Sequence, residues 1–257
     1  MKFRLLKTGF RDAAENMAID EAVLEQIADA KSQPALRFYG WSPPAISIGY
    51  FQSLEEEVDL AACKKFGVDV VRRMTGGGAV FHEHEITYSI HIPENSKLTP
   101  AGILESYESI CAGILNGLET LGIKAQFVPL NDLIVLQNGA PKKVSGNAQT
   151  RKRGVILQHG TILLKVDVDK MFALLKVPDE KLKGKLIETV KQRVAGLSAA
   201  AGREITFDAA LEALANGFKK AFPNVDFEAG ELTADEKSLA QKLKKEKYKT
   251  ADWNNQR

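Results

Sequence analysis

The pattern of apolar and polar positions divides the chain into helical ends and a strand-rich middle. Between Asp12 and Ala30, the residues Ala14, Met17, Ala18, Ala22 and Ile27 recur near the helical period. With Asp12 available as N-cap, the spacing predicts an amphipathic helix. Two short apolar stretches, Ala35–Tyr39 and Ala45–Ile48, flank Trp41-Ser42-Pro43-Pro44 and read as strand, turn, strand. Val58–Phe66 reads as a helix carrying Cys63, and Val68–Val71 as a strand running into a glycine-rich turn. From Ala79 to Ile92 the alternation continues unusually far. Unbroken, it places Val80, His82, His84, Ile86, Tyr88, Ile90 and Ile92 on one face, and it favours antiparallel pairing with one side partly wet.

Pro100–Leu121 reads as a second long helix ended by Gly122. Strands are expected over Ile123–Val128, Asn131–Leu136, Lys143–Ala148 and Gly154–Val166, with a turn at Asn138-Gly139. Beyond Asp167 the pattern turns helical, most clearly over Phe207–Ala221 and Thr233–Tyr248. Strands in the middle and helices at both ends predict an α+β fold with a mixed, largely antiparallel sheet flanked by helices. With no repeat and no Pro/Gly/Ser-rich linker, residues 1–257 are expected to form one domain.

Composition narrows the function classes. A chain of 257 residues can bury roughly 70–75% of its unfolded surface without disulfide or metal staples. Its 35 basic and 33 acidic residues leave a net charge of +2. That balance argues against a nucleic-acid binder held by phosphate contacts. Lys2, Arg4, Lys7, Arg11 and Asp12 interrupt any signal-peptide core, and no segment has the run of about 18 apolar residues that a membrane span needs. Two cysteines, Cys63 and Cys111, with no export signal predict free thiols in the cytoplasm. The basic run Lys242–Lys249 reads as a solvated helix end.

Four segments carry candidate chemistry. In Arg72-Arg73-Met74-Thr75-Gly76-Gly77-Gly78-Ala79-Val80-Phe81-His82, consecutive glycines let backbone N–H groups approach an anion, and the arginines add forks for phosphate. A glycine-rich hairpin with surface arginines is the plainer reading. Lys143, opening Lys143-Val144-Ser145-Gly146-Asn147-Ala148, can neutralise charge developing on a phosphoryl or carboxylate oxygen. Asn131-Asp132 reads as a turn or as a nucleotide and Mg²⁺ ligand pair, and in Gln158-His159-Gly160-Thr161 the glycine allows close ligand approach. His82, His84 and His91 could make a zinc site only if they met, and strand parity sets His91 on the opposite face.

In order and spacing these segments resemble the lipoate–protein ligase A family. The resemblance extends to Asn16-Met17-Ala18-Ile19-Asp20-Glu21, Ile46-Ser47-Ile48-Gly49 with Gln52, and Val190-Lys191-Gln192-Arg193-Val194. It implies a biotin/lipoate ligase (class II synthetase-like) fold, with ATP, Mg²⁺ and lipoate as ligands. Arg73, Thr75, Gly76, Gly77, Gly78, Ala79, Val80, Phe81 and Thr161 are then expected around the nucleotide and acyl-phosphate. Asn131 and Asp132 would hold the adenylate and its metal, and Lys143 would bridge the acyl carbonyl and the α-phosphate. Ile46, Ile48 and Val80 are candidates for lining an acyl tunnel, with plain core the more usual role for each. The expected acceptors are lipoyl domains of 2-oxoacid dehydrogenase complexes or the glycine cleavage H protein. The chain ends soon after Trp253-Asn254, so a separate accessory subunit is also expected.

Octanoyl and lipoyl transferases share that fold and use a cysteine in place of ATP. Their nucleophile lies shortly before the lysine strand or in a later Pro-Cys-Gly segment. Neither cysteine of this chain lies in those places, so the ligase reading is preferred to the transferase reading. A non-catalytic acyl-protein-binding module would leave the arginine and triglycine cluster unexplained.

Overall fold

The computed structural model describes residues 1–177 and 182–257. Among the described residues, eleven strands are formed: β1 Lys2–Arg11, β2 Ala35–Trp41, β3 Ala45–Ile48, β4 Asp69–Arg72, β5 Val80–His82, β6 Glu85–Pro93, β7 Ala125–Val128, β8 Asp132–Gln137, β9 Ala140–Lys152, β10 Val155–Leu163 and β11 Asp226–Gly230. The helices are α1 Ala13–Ala28, α2 Leu54–Glu57, α3 Leu60–Phe66, α4 Ile103–Thr120, α5 Val168–Leu174, α6 Lys183–Arg193, α7 Leu197–Ala201, α8 Phe207–Ala221, α9 Ala234–Leu243 and α10 Ala251–Asn254. Asp12 caps α1 by accepting from the Glu15 N–H, as its position predicts.

Eight strands make one sheet in the order β11-β1-β2-β6-β10-β9-β8-β7. Only β1 pairs in parallel, with β2 and β11; the other neighbours are antiparallel. On β6, Ile86, Tyr88, Ile90 and Ile92 face a core built with Ile110, Ile114 and Phe218 from α4 and α8. The alternate positions Thr87, Ser89 and His91 face α1, where Ser89 and His91 both bond to Asp20. A second core, under α1 and α9, packs Met17, Val23 and Leu24 on Tyr39 and Trp41. The sheet is thus covered on both faces, and the mixed α+β architecture is as the pattern predicts.

A second sheet, β4-β3-β5, departs from that prediction. The long alternating stretch is not one strand. It breaks at Glu83-His84, so β5 joins the small sheet while β6 joins the large one. The break resets side-chain parity, because two residues leave the ladder between His82 and Glu85. The Thr233–Tyr248 helix is also interrupted: α9 stops at Leu243, and Lys244–Tyr248 continue as a π-helical turn. There the basic run is not simply solvated. Lys244 pairs with Asp12 and Glu15, and Lys247 with Glu21.

Candidate active site

Where the two sheets meet, a cavity of about 320 Å³ is lined from β2, β3, β5, β6, β9 and β10, and from Met17 and Met171. Its wall contains Arg73, Gly77, Gly78, Ala79, Val80, Phe81, Asn131, Lys143 and Thr161, all expected from sequence. Thr75, Gly76 and Asp132 lie beside the cavity and not on its wall. Ile46 and Ile48 take the plainer of their two readings, core packing. Strand alternation turns them into the core under α3 with Leu54 and Val58, leaving Ser47 between them to face the cavity.

The glycine loop is held from beneath by arginine. Arg73 is 4% exposed and donates to the carbonyls of Ser47, Gly76 and Gly78 at 2.8–2.9 Å, as well as to Thr75 Oγ1. Arg72 donates to the carbonyls of Gly49, Tyr50 and Gln52, and to Trp253 and Asn254 near the C-terminus. Both guanidiniums were expected to grip phosphate; here they grip the loop and its support. Burial lowers both from the ordinary arginine range, Arg73 to about 10. Of the three loop glycines only Gly77 has positive φ, at 95°, a conformation that favours glycine. Gly49 is fixed by crowding, since a Cβ there would sit 1.9 Å from the Gly77 carbonyl oxygen.

Lys143 and Asp132 meet at 2.7 Å, both partly exposed. Asn131 is locked to Asn147: its side chain donates to the Asn147 carbonyl, and its own carbonyl accepts from Asn147 Nδ2 at 2.8 Å. At Gly160 the close approach is made by protein, because a Cβ would lie 2.2 Å from Asn147 Oδ1. The glycine therefore admits the Asn147 side chain, which accepts from Tyr88 at 2.8 Å, where sequence suggested room for a ligand.

The described residues hold no group of three or more His, Cys, Asp or Glu able to bind a metal. His82, His84 and His91 are separated. His91 bonds to the Asp20 carbonyl and His84 is largely exposed. Asp132 offers a single carboxylate already paired with Lys143. That donor set suits an Mg²⁺ brought in by nucleotide phosphates, which takes few protein ligands.

Sequence reasoning missed two buried polar lines. In one, Asp20 accepts from Arg37 at 2.7 Å, Tyr39 at 3.0 Å and Ser89 at 2.8 Å. It lies 3.5 Å from His159 Nδ1, and His159 Nε2 bonds to Thr75 Oγ1 at 2.7 Å. Burial opposes the Asp20 charge, but Arg37 and the two histidines hold the carboxyl well below the usual range. Burial in turn lowers His159 and His91. In the other line, Ser47 Oγ lies 2.8 Å from His82 Nε2, and His82 Nδ1 lies 2.7 Å from Glu85. The reset parity between β5 and β6 brings His82 and Glu85 together, which an unbroken strand would not do.

Comparison with known proteins places this geometry. The family model described as the lipoyl protein ligase A/B catalytic domain matches residues 12–219. An octanoyltransferase LipM of Anoxybacillus flavithermus is 43% identical over 98% of this chain and 97% of its own length. The same-named protein of Geobacillus kaustophilus is 38% identical over equal shares. Among solved structures, a bi-partite lipoate protein ligase of Thermoplasma acidophilum, studied with its E2 lipoyl domain, superposes with a TM-score of 0.87 at 34% identity. It covers 99% of this chain and 96% of that one. A lipoate-protein ligase A bound with ATP gives 0.82 at 30% identity, over 99% and 98%.

Proposed function

The chain belongs to the lipoyl protein ligase A/B catalytic-domain family, and on that footing we propose that it joins a lipoyl or octanoyl group to a lysine of an acceptor protein through an acyl-adenylate. The observation that carries this reading is the state of the thiols. No cysteine lines the cavity among the described residues. Cys63 sits on α3 and faces the core beneath it, where burial pushes its thiol up to about 11. Cys111 lies in the main core, pushed up to about 12 by burial. A thioester intermediate needs an accessible thiolate, and neither residue supplies one.

In the adenylate route the acyl carboxylate attacks the α-phosphorus of ATP, pyrophosphate leaves, and the acceptor amine then displaces AMP. Two anions must meet, so preorganised donors and cations are the effective device. Lys143 supplies a charge at the cavity wall, and the backbone of Gly77, Gly78 and Ala79 borders the same space. Arg73, on the same cavity wall, also holds the loop in shape through the Gly76 and Gly78 carbonyls. Asp132 would share Mg²⁺ with the nucleotide, whose role is to neutralise phosphate charge.

The Thermoplasma ligase is bi-partite and was studied with its E2 lipoyl domain. By that likeness the acceptor here is a lipoyl domain of a 2-oxoacid dehydrogenase complex, and a second polypeptide assists adenylation. The names of the curated relatives favour a second reading, octanoyl transfer without ATP. Incubating the chain with α-labelled ATP, Mg²⁺ and lipoate separates the two. Labelled lipoyl-AMP supports adenylation. Its absence both with and without a candidate second subunit, while the acceptor becomes octanoylated from an octanoyl thioester, refutes it.

A further inference from the structure

Ser47, His82 and Glu85 line the cavity, and the adenylate route leaves them without a task. Each is at most 3% exposed. An ionised carboxylate can only accept, so Glu85 fixes the imidazole proton on Nδ1 and leaves the Nε2 lone pair to the Ser47 hydroxyl at 2.8 Å. The ring has little freedom to turn away. Trp41 stacks on it with centroids 4.0 Å apart and planes 16° apart. Thr87 donates to Glu85 Oε1 at 2.6 Å while accepting from the Trp41 indole at 2.8 Å. Arg73 Nη1 donates to Ser47 Oγ at 3.2 Å, so that oxygen faces a base on one side and a cation on the other.

One atom in this line is not explained by packing. Glu85 Oε2 is buried without a hydrogen-bond partner among the described residues. An orphaned buried carboxylate oxygen is costly in a network that serves structure alone. It suits a network in which the neighbouring imidazole becomes a cation during a reaction, as in the logic of a serine triad.

We propose that Ser47 is an acyl-accepting nucleophile, with His82 as its general base and Glu85 as the orienting carboxylate, and that its substrates are medium-chain acyl thioesters. The proposal rests on the reading of this cavity as an acyl site, but it needs neither ATP nor a cysteine. Ser47 Oγ bonds to the thioester carbonyl carbon and the carbon–sulfur bond breaks. The hydroxyl proton passes to His82 Nε2 and then to the departing thiolate, which leaves as thiol. Water or a primary amine next attacks the ester, giving its proton to His82, which returns one to Ser47 Oγ. Such a site gives a chain with octanoyltransferase relatives, but no thiol in its cavity, a means of handling the same class of donor.

The test is acid-quenched mass spectrometry of the full chain after incubation with S-octanoyl-N-acetylcysteamine, with peptide mapping. The expected result is one octanoyl group on the peptide containing Ser47, absent in Ser47→Ala and formed at least about 100-fold more slowly in Glu85→Gln. Ser47→Cys should restore an adduct at the same position, which keeps the proposal testable if the alanine variant does not fold. No adduct on the folded chain, an adduct elsewhere, or an undiminished one in Ser47→Ala overturns it. Lipoyl-AMP formation from ATP is measured separately, and its failure bears on the ligase reading and not on Ser47.

Discussion

Asp132 Oδ1 lies 2.7 Å from the Lys143 ammonium at the cavity wall. The lysine is thereby held in place before any phosphate arrives, by a carboxylate that Mg²⁺ can share. Lys143→Ala should lower lipoyl-AMP formation by about 10²–10³, the usual cost of losing one preorganised charge stabiliser. The pair is partly exposed, so thermal stability should change little. Single-turnover adenylation and a melting curve on the same preparation check both halves. Near-normal adenylation by the folded variant would remove Lys143 from the chemistry.

The two cysteines are predicted to be dispensable. Replacing Cys63 and Cys111 together with alanine should leave acyl transfer within a few-fold, because both are buried with raised thiol pKa values. Some stability should be lost, since Cys111 fills space in the core. Transfer is read by mass spectrometry of the acceptor. A trapped acyl thioester on either residue would establish the cysteine route.

Crowding beneath the glycine loop gives a paired prediction. Gly49→Ala places a Cβ against the Gly77 carbonyl, while the nearest atom to a Cβ at Gly76 is a Phe51 ring carbon at 3.9 Å. Gly49→Ala should therefore lower the melting temperature by several degrees, and Gly76→Ala should lower it little. Equal melting curves would show that the loop yields freely.

Buried histidines set the acid side of the stability profile. His91 and His159 both have folded pKa values below the ordinary 6.5, chiefly through burial. As pH falls below 6.5, the unfolded chain binds protons that the folded chain refuses. Their stabilising contribution is thus present above about pH 6.5 and is lost as pH falls below it, by up to about 1.4 kcal/mol per pH unit for each histidine. Urea titrations between pH 7 and pH 5 should show this slope. His159→Gln should flatten it, and a slope unchanged in that variant would assign the loss to other groups.

Local pattern foretold the elements whose faces are strongly periodic, such as α1, α4 and α8. It did not foretell β1 or β11. Their parallel pairing joins Lys2–Leu6 to Asp226–Gly230 at the far end of the chain, and no short window contains such a partner. The glycine loop and Lys143 were singled out only when their order and spacing were taken together, and the structure brings both to one cavity wall. Arg73 was found but its direction was not: a guanidinium surrounded by carbonyls and one surrounded by phosphate read alike in sequence. Ser47 and Glu85 were hidden because their approach depends on where the Glu83-His84 break falls, and one residue's shift would turn either side chain away.

The most direct test of the central claim compares two acyl donors on one acceptor. The chain is mixed with a lipoyl domain and given either ATP, Mg²⁺ and lipoate, or an octanoyl thioester, with and without a candidate second subunit, and acylation of the acceptor lysine is followed by mass. Adenylation predicts ATP-dependent lipoylation that the Cys63/Cys111 double variant retains, and transfer from supplied lipoyl-AMP by the chain alone. Failure to use ATP with every candidate subunit, joined to failure to transfer from lipoyl-AMP, would contradict it.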